Sequence, residues 1–135
     1  MPRILLDSGP VIRYLRGRQR TVQLLRTLSR SERLTVSVIT RAEIHAGMNP
    51  KDRFVTQKTL ARFVTLDVDR EIADRAGDIM GTLRRRGITL EVPDALIGAT
   101  AVLRQLTLVT FNRSDFEQIP GLSLYPLSDN GQSDY

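Results

Sequence analysis

The chain has 135 residues, of which 41% are hydrophobic and 26% are charged, and these proportions are typical of one folded domain. It has no cysteine and a single histidine, which excludes disulfides, thiolate catalysis, cysteine-ligated zinc and hydrolysis by paired imidazoles of one chain. The net charge of +5 fits a polyanionic partner and fits an ordinary solvated surface equally well.

In the first third of the chain, the hydrophobic pattern predicts strands that alternate with helices. A short apolar run over residues 3–7 indicates a buried strand. Helical spacing follows over residues 11–15 and 22–28. The β-rich run 34–38 predicts a second strand, and residues 39–46 favour a helix after it.

The rest of the chain continues this alternation up to a polar end. The predicted elements are helix 53–62, strand 63–68, helix 70–86, helix 95–103, strand 107–111 and strand 122–127. Asp69 is the expected N-cap of the helix that starts at residue 70. We therefore predict one α/β domain over residues 1–127, with a mainly parallel sheet between helices, and a disordered C-terminal tail over residues 128–135.

Neither a secretory segment nor a bilayer-spanning segment is evident in the sequence. The apolar stretch at the start is too short for a signal peptide, and no later window is long and apolar enough to span a membrane. We therefore expect a cytoplasmic protein that does not bind membranes.

Four acidic residues lie near the predicted ends of strands or the starts of helices. Asp7 closes the first strand, Glu43 lies in the helix after the second strand, Asp94 opens a helix, and Asp115 follows the strand that ends at Phe111. In open α/β sheets, ligands bind beyond the carboxyl ends of the strands, so we expect these acids to converge. Clustered carboxylates repel one another and bind hard cations such as Mg²⁺ or Mn²⁺.

Each acid also has a structural explanation that the sequence leaves open. Thr40 and Glu43 fit a capping box, Asp94 could simply stabilise the start of its helix, and Asp115 could be a turn residue. Asp7 is hardest to explain structurally, because a charge at the end of an apolar strand costs folding energy unless it is paired.

Several arginines are candidate contacts for phosphate groups, because the guanidinium group matches phosphate oxygens. They are Arg13, Arg16, Arg84, Arg85 and Arg86. A solvated surface face is the alternative for each one.

Four blocks of the sequence resemble the PIN-domain ribonucleases, in particular the VapC toxins of VapBC toxin–antitoxin pairs. The blocks are residues 4–8 (ILLDS), 36–44 (VSVITRAEI) with Gly47, 93–101 (PDALIGATA) and 110–116 (TFNRSDF). They occur in the order and spacing of that family. Gly98 stands where the family commonly has alanine, and Gly9-Pro10 is not the commonest continuation of the first block.

The resemblance implies a three-layer α/β/α sandwich, an endoribonuclease activity dependent on Mg²⁺ or Mn²⁺, an RNA substrate, a homodimer and a VapB-like antitoxin. It carries over a set of catalytic and metal-binding acids, namely Asp7, Glu43, Asp94 and Asp115. It also implies supporting residues that orient ligands or water, namely Ser8, Thr110 and Asn112.

The predicted chemistry is attack on phosphorus by a water that the cation activates, without a protein nucleophile. Aspartyl-phosphate phosphatases and response-regulator receivers are disfavoured. The former need an acid at position 9, where Gly9 stands, and the latter need a late lysine, whereas Lys51 and Lys58 are the only lysines. The remaining alternative is a PIN-like module that binds RNA or protein without cleaving it.

Overall fold

Five short parallel strands form the centre of the part of the chain that the structure describes. The computed structural model describes residues 3–127 and residue 135. The strands are β1 (Ile4–Leu6), β2 (Leu34–Ser37), β3 (Val64–Leu66), β4 (Thr107–Val109) and β5 (Ser123–Leu124). They pair in the order β3-β2-β1-β4-β5.

Helices cover both faces of this sheet. They are α1 (Ser8–Leu15), α2 (Gln19–Ser31), α3 (Val38–Gly47), α4 (Arg53–Leu60), α5 (Arg70–Arg85), α6 (Val92–Leu103) and α7 (Arg113–Phe116), with a 3-10 helix at Pro50–Asp52. The predicted elements are confirmed with boundaries that shift by a few residues. The sequence pattern did not predict α7 or the 3-10 helix. Asp69 caps α5 as predicted, because its Oδ1 accepts from the backbone N–H of Ile72 at 2.9 Å.

The alternation of side chains along β1 divides the core in two. Leu5 packs into one cluster with residues of α5 and α6, such as Ile72 and Ile97. Ile4 and Leu6 point to the opposite face and pack with residues of α1, α2 and α3. A parallel sheet with helices on both faces confirms the predicted three-layer α/β/α sandwich.

The strand order places a crevice at the centre of the sheet. From β1 the chain extends the sheet on one side through β2 and β3, and later on the other side through β4 and β5. The carboxyl ends of β1 and β4 therefore flank the point where the direction of winding reverses. The backbone N–H of Asp7 donates to the carbonyl of Val109 across this point at 3.0 Å. Open α/β sheets bind their ligands at such a point.

The predicted tail, residues 128–135, lies outside the described residues apart from Tyr135. The side chain of Tyr135 is buried. In the described part of the chain, no helix combines the length and apolar character that crossing a membrane requires.

Gly98 leaves the space that Ile119 fills. Both residues are buried, and a Cβ added to Gly98 would lie 2.5 Å from Cδ1 of Ile119. The absence of a side chain at Gly98 therefore makes room for the side chain of Ile119, which follows α7.

We expect Gly98→Ala to be more favourable when Ile119 is shortened to valine. Alanine gains about 1 kcal/mol of helix propensity over glycine, but overpacking a core costs about 1–3 kcal/mol. Urea denaturation of Gly98→Ala, Ile119→Val and the double variant should give a coupling free energy of about 1 kcal/mol or more. Equal effects of Gly98→Ala in both backgrounds would contradict the steric account.

Candidate active site

Asp7 is a buried carboxylate at the carboxyl end of β1. It caps α1, and its Oδ1 accepts from the backbone N–H of Ser8 at 2.8 Å. Its Oδ2 accepts from the hydroxyl of Thr110 at 2.7 Å. Burial raises the pKa of Asp7 above its ordinary value, and the two hydrogen bonds oppose that rise. The two hydrogen bonds therefore orient the carboxylate of Asp7, but they do not fully offset the cost of burying its negative charge.

A chain of hydrogen bonds leads from Asp7 to Asp115 along the segment after β4. Thr110 is almost fully buried, and its hydroxyl oxygen accepts from the backbone N–H of Asn112 at 3.0 Å. The side-chain amide of Asn112 donates to Oδ2 of Asp115 at 2.7 Å. Thr110 and Asn112 thus orient the two acids, and Ser8 contributes through its backbone N–H.

Asp94 lies in the first turn of α6 and is half-buried. Its pKa is raised from the ordinary 3.8 to about 6, mainly by burial and in addition by the negative charges of Asp7, Asp115 and Glu91. A helix start by itself favours the charged carboxylate. The upward shift means that burial and like charges dominate at this position, so stabilisation of the helix start does not by itself account for Asp94.

Glu43 does not belong to a capping box. The N-cap of α3 is Ser37, whose hydroxyl oxygen accepts from the backbone N–H of Ile39 at 3.0 Å. Thr40 lies inside the helix and is fully buried, and Glu43 lies in the second turn. The capping-box interpretation is therefore wrong. Burial raises the pKa of Glu43, and so do the charges of Asp7 and Asp94.

These mutual charge effects join all four predicted acids in one region. Asp7 acts on both Glu43 and Asp94, Asp94 acts on Glu43, and Asp115 acts on Asp94. Among residues 3–127 and 135, no three acidic or histidine side chains are arranged to hold a metal ion together as they stand. We call this cluster of four carboxylates, which are close enough for their charges to act on one another, the acidic pocket.

The predicted arginines occupy different places. Arg13 lies on α1, with its guanidinium carbon 4.4 Å from the centre of the ring of Phe111, the residue between Thr110 and Asn112. Arg16 caps the carboxyl end of α1. The other three, Arg84, Arg85 and Arg86, are exposed at the end of α5.

Three aromatic or acidic neighbours of the site were missed by the sequence reasoning. Phe111 stands between Thr110 and Asn112 in the fourth sequence block, which was a usable signal. Glu91, the N-cap of α6, adds to the negative charge around Asp94. Tyr135 gave no signal, because its contact with Phe111 joins residues that are distant in sequence.

Replacing Thr110 tests whether its hydroxyl holds Asp7. We expect Thr110→Val to lower the free energy of unfolding by about 1–3 kcal/mol, because valine keeps the shape but leaves a buried carboxylate oxygen without its donor. Thr110→Ser restores the donor and should retain most of the stability. Urea denaturation measures both, and equal losses for serine and valine would assign the effect to packing.

Comparison with known proteins agrees with this arrangement. The PIN domain profile matches residues 4–122. Ribonuclease VapC10 of Mycobacterium tuberculosis is 36% identical over 109 residues, which are 81% of this chain and 82% of that protein. The tRNA(fMet)-specific endonuclease VapC of Salmonella typhimurium is 28% identical over 129 residues, 92% of this chain and 97% of that protein.

A solved structure gives the same result for the fold. The crystal structure of DNA-bound VapBC from Salmonella typhimurium matches 93% of this chain and 98% of its own matching chain, with a TM-score of 0.82 and 27% identity. The family match spans both strands that flank the crevice and all four acids of the pocket. The chain belongs to the PIN-domain family and, within it, to the VapC ribonucleases.

Proposed function

We propose that this chain is a Mg²⁺- or Mn²⁺-dependent endoribonuclease and the toxin of a type II toxin–antitoxin pair. One observation carries the proposal: Asp7 is buried where the winding of the sheet reverses, and the hydroxyl of Thr110 holds it there. The negative charges of Asp7 and Asp94 both raise the pKa of Glu43. A folded protein gains nothing from keeping such repelling charges together unless a cation joins them.

The chemistry of the donor set fits a hard cation. The four acids offer only oxygen ligands, which Mg²⁺ and Mn²⁺ prefer. Mg²⁺ is usually bound through one or two carboxylates and keeps several waters, so a pocket that is not a closed set of ligands is compatible with it. Asp7, Glu43, Asp94 and Asp115 would hold the cation directly or through its waters.

The residues of the chain would then fix the reacting groups. A bound divalent cation would lower the pKa of the attacking water and would neutralise the negative charge on the departing oxygen. Thr110 holds Asp7 in one orientation, and Asn112 does the same for Asp115. Arg13 and Arg16, which lie in and at the end of the helix that Asp7 caps, would attract the phosphates of the substrate.

The relatives support the proposed substrate and the proposed antitoxin partner. An RNA substrate is supported by the ribonuclease and tRNA endonuclease relatives. A VapB-like antitoxin is supported by the VapBC complex that shares the fold at 27% identity. A homodimer and a cytoplasmic location complete the proposal.

A cleavage assay with three controls tests the activity. The purified chain should cut a structured RNA in the presence of Mg²⁺ or Mn²⁺, and EDTA or Asp7→Ala should stop it. Asp78→Ala, at an exposed position of α5, is the matched control and should cut normally. Cleavage that survives EDTA or Asp7→Ala would refute the proposed mechanism. RNA binding without any cleavage would identify the non-cleaving module instead.

A further inference from the structure

Phe111 covers the first turn of α1 beside the acidic pocket. The residue is partly exposed and stands between Thr110 and Asn112, which orient two of the acids. A Cβ added to Gly9 would lie 3.3 Å from Cδ2 of the Phe111 ring. The absence of a side chain at Gly9 therefore lets the ring lie close against the helix that Asp7 caps.

Two guanidinium groups lie against a pair of stacked aromatic rings, one of which is Phe111. The guanidinium carbon of Arg13 is 4.4 Å from the centre of the Phe111 ring. The rings of Phe111 and Tyr135 are stacked, with centres 5.4 Å apart and an angle of 26° between their planes. Arg20 in turn lies 4.6 Å from the centre of the Tyr135 ring.

Arg13 also approaches the backbone of Tyr135. Its Nη1 lies 3.5 Å from the backbone oxygen of Tyr135, at the outer limit of a hydrogen bond. The side chain of Tyr135 is only 7% exposed. The structure therefore already contains a planar ring that is largely out of water and contacts an aromatic ring, Phe111, and a guanidinium group, Arg20, while Arg13 approaches its backbone oxygen.

This set of contacts is distinct from the hydrophobic core. Phe111 and Tyr135 belong to neither of the two clusters that pack on the sheet. Arg13 is partly exposed, and Arg20 is exposed. The two clusters that pack on the sheet therefore do not account for the contacts among these two aromatic rings and two arginines.

The chemistry of the stack matches one nucleotide of a single strand. Aromatic side chains bind nucleobases by stacking on their faces, and arginine adds cation–π attraction and contacts to phosphate. A nucleotide that neighbours the scissile phosphate must pass close to the acids, which is where Phe111 lies. The ring of Tyr135 resembles a base in being flat and aromatic.

We propose that Phe111 and Arg13 form a stacking subsite for a nucleobase of the RNA substrate, and that Tyr135 occupies this subsite in the free protein. The inference rests on the proposed ribonuclease function and specifies how its substrate is held. Tyr135 is then an internal competitor, and it lowers the apparent affinity for RNA by the fraction of time that it fills the subsite.

Binding of a labelled RNA tests the subsite and its occupant separately. The probe is a fluorescein-labelled single-stranded RNA of about ten nucleotides, and anisotropy is measured with Mg²⁺ in an Asp94→Asn background so that the RNA stays intact. Phe111→Leu should weaken binding by about tenfold, since it removes the aromatic ring on which one base stacks. Tyr135→Ala should tighten binding by about threefold or more, since it removes the competitor.

Phe54→Leu is the matched control, because Phe54 is 75% exposed on α4, and it should leave RNA affinity unchanged. If Tyr135→Ala weakens binding as Phe111→Leu does, Tyr135 is part of the platform and the competitor is refuted. If RNA binds, neither substitution changes the affinity and the wild-type chain cuts RNA in the cleavage assay, the subsite is refuted while the proposed function stands. If no variant binds RNA and the wild-type chain does not cut it, both proposals fail.

A measurement without RNA checks the occupant directly. Stacking on Phe111 should shift the NMR signals of the Tyr135 ring protons away from those of a free tyrosine. Adenosine 5′-monophosphate should return them toward the free values as it displaces the ring, and Phe111→Leu should do so without nucleotide. Signals of Tyr135 that do not respond to saturating nucleotide would overturn the displacement.

Discussion

Asp94→Asn should abolish RNA cleavage and at the same time raise the stability of the metal-free protein near neutral pH. Asparagine keeps the size of Asp94 but cannot carry the negative charge that would help to hold a cation. The same change removes a half-buried charge that burial and three neighbouring acids make unfavourable. Loss of activity and gain of stability in one variant separate a functional charge from a structural one.

The stability effect has a defined dependence on pH. The pKa of Asp94 is about 6 in the folded chain against an ordinary value of 3.8, so the folded state binds this proton more tightly than the unfolded state does. The contribution of Asp94 to stability therefore falls as the pH rises from about 4 to about 7. The pKa values of Asp7 and Glu43 are also raised, which gives slopes of the same sign.

Thermal melting of the metal-free protein at several pH values measures this slope. Asp94→Asn should flatten it and should gain on the order of 1 kcal/mol at neutral pH, after allowance for the solvent that screens a half-buried group. Asp78→Asn is the control, since Asp78 is exposed on α5 and should change neither activity nor slope. A destabilised Asp94→Asn protein would mean that the carboxylate is needed for folding, and its lost activity would then carry no mechanistic weight.

The elements and the acids were predictable because their signals are local or are repeated along the chain. Apolar runs such as residues 34–37 predict buried strands, and Asp69 has the expected hydrogen bond to the start of α5. The four acids follow strands or open helices, so the parallel order of the strands brings them to one edge of the sheet.

The features that the sequence did not predict depend on competition between local patterns or on contacts between residues that are distant in sequence. The spacing of Thr40 and Glu43 fits a capping box. However, the N-cap of α3 is Ser37, three residues earlier, so Thr40 and Glu43 both lie inside the helix. The close contact between Gly98 and Ile119 joins residues that are distant in sequence, so no local pattern predicts it. The stack of Phe111 on Tyr135 is likewise a tertiary contact that periodicity cannot express.

Divalent cations should raise the melting temperature of the wild-type protein by several degrees. A ligand that binds only the folded state adds about 2.7 kcal/mol when its concentration is about 100 times its dissociation constant. In a domain of this size, each kcal/mol corresponds to a shift of roughly 2–8 °C. Mn²⁺ or Mg²⁺ at millimolar concentration is the appropriate probe, and the readout requires neither RNA nor activity.

The size of the shift should depend on the acids and on pH. Asp94→Asn should reduce the shift strongly, because it removes one of the carboxylates whose repulsion the cation relieves. Asp78→Asn should show the full shift. Protons and the cation compete for the same oxygens, so the shift should be larger at about pH 7.5 than at about pH 5, where Asp94 is mostly protonated.

The comparison of these variants decides whether the four acids bind a divalent cation, which the proposed nuclease mechanism requires. A shift that is equal in wild type, Asp94→Asn and Asp78→Asn would come from general screening of surface charge and not from the pocket. The absence of any shift at millimolar Mn²⁺ would leave Asp7, Glu43 and Asp94 without a cation to join them, and the metal-dependent mechanism would have to be abandoned. A shift that disappears with Asp94 but persists without Asp78 ties the charges of the pocket to a bound cation.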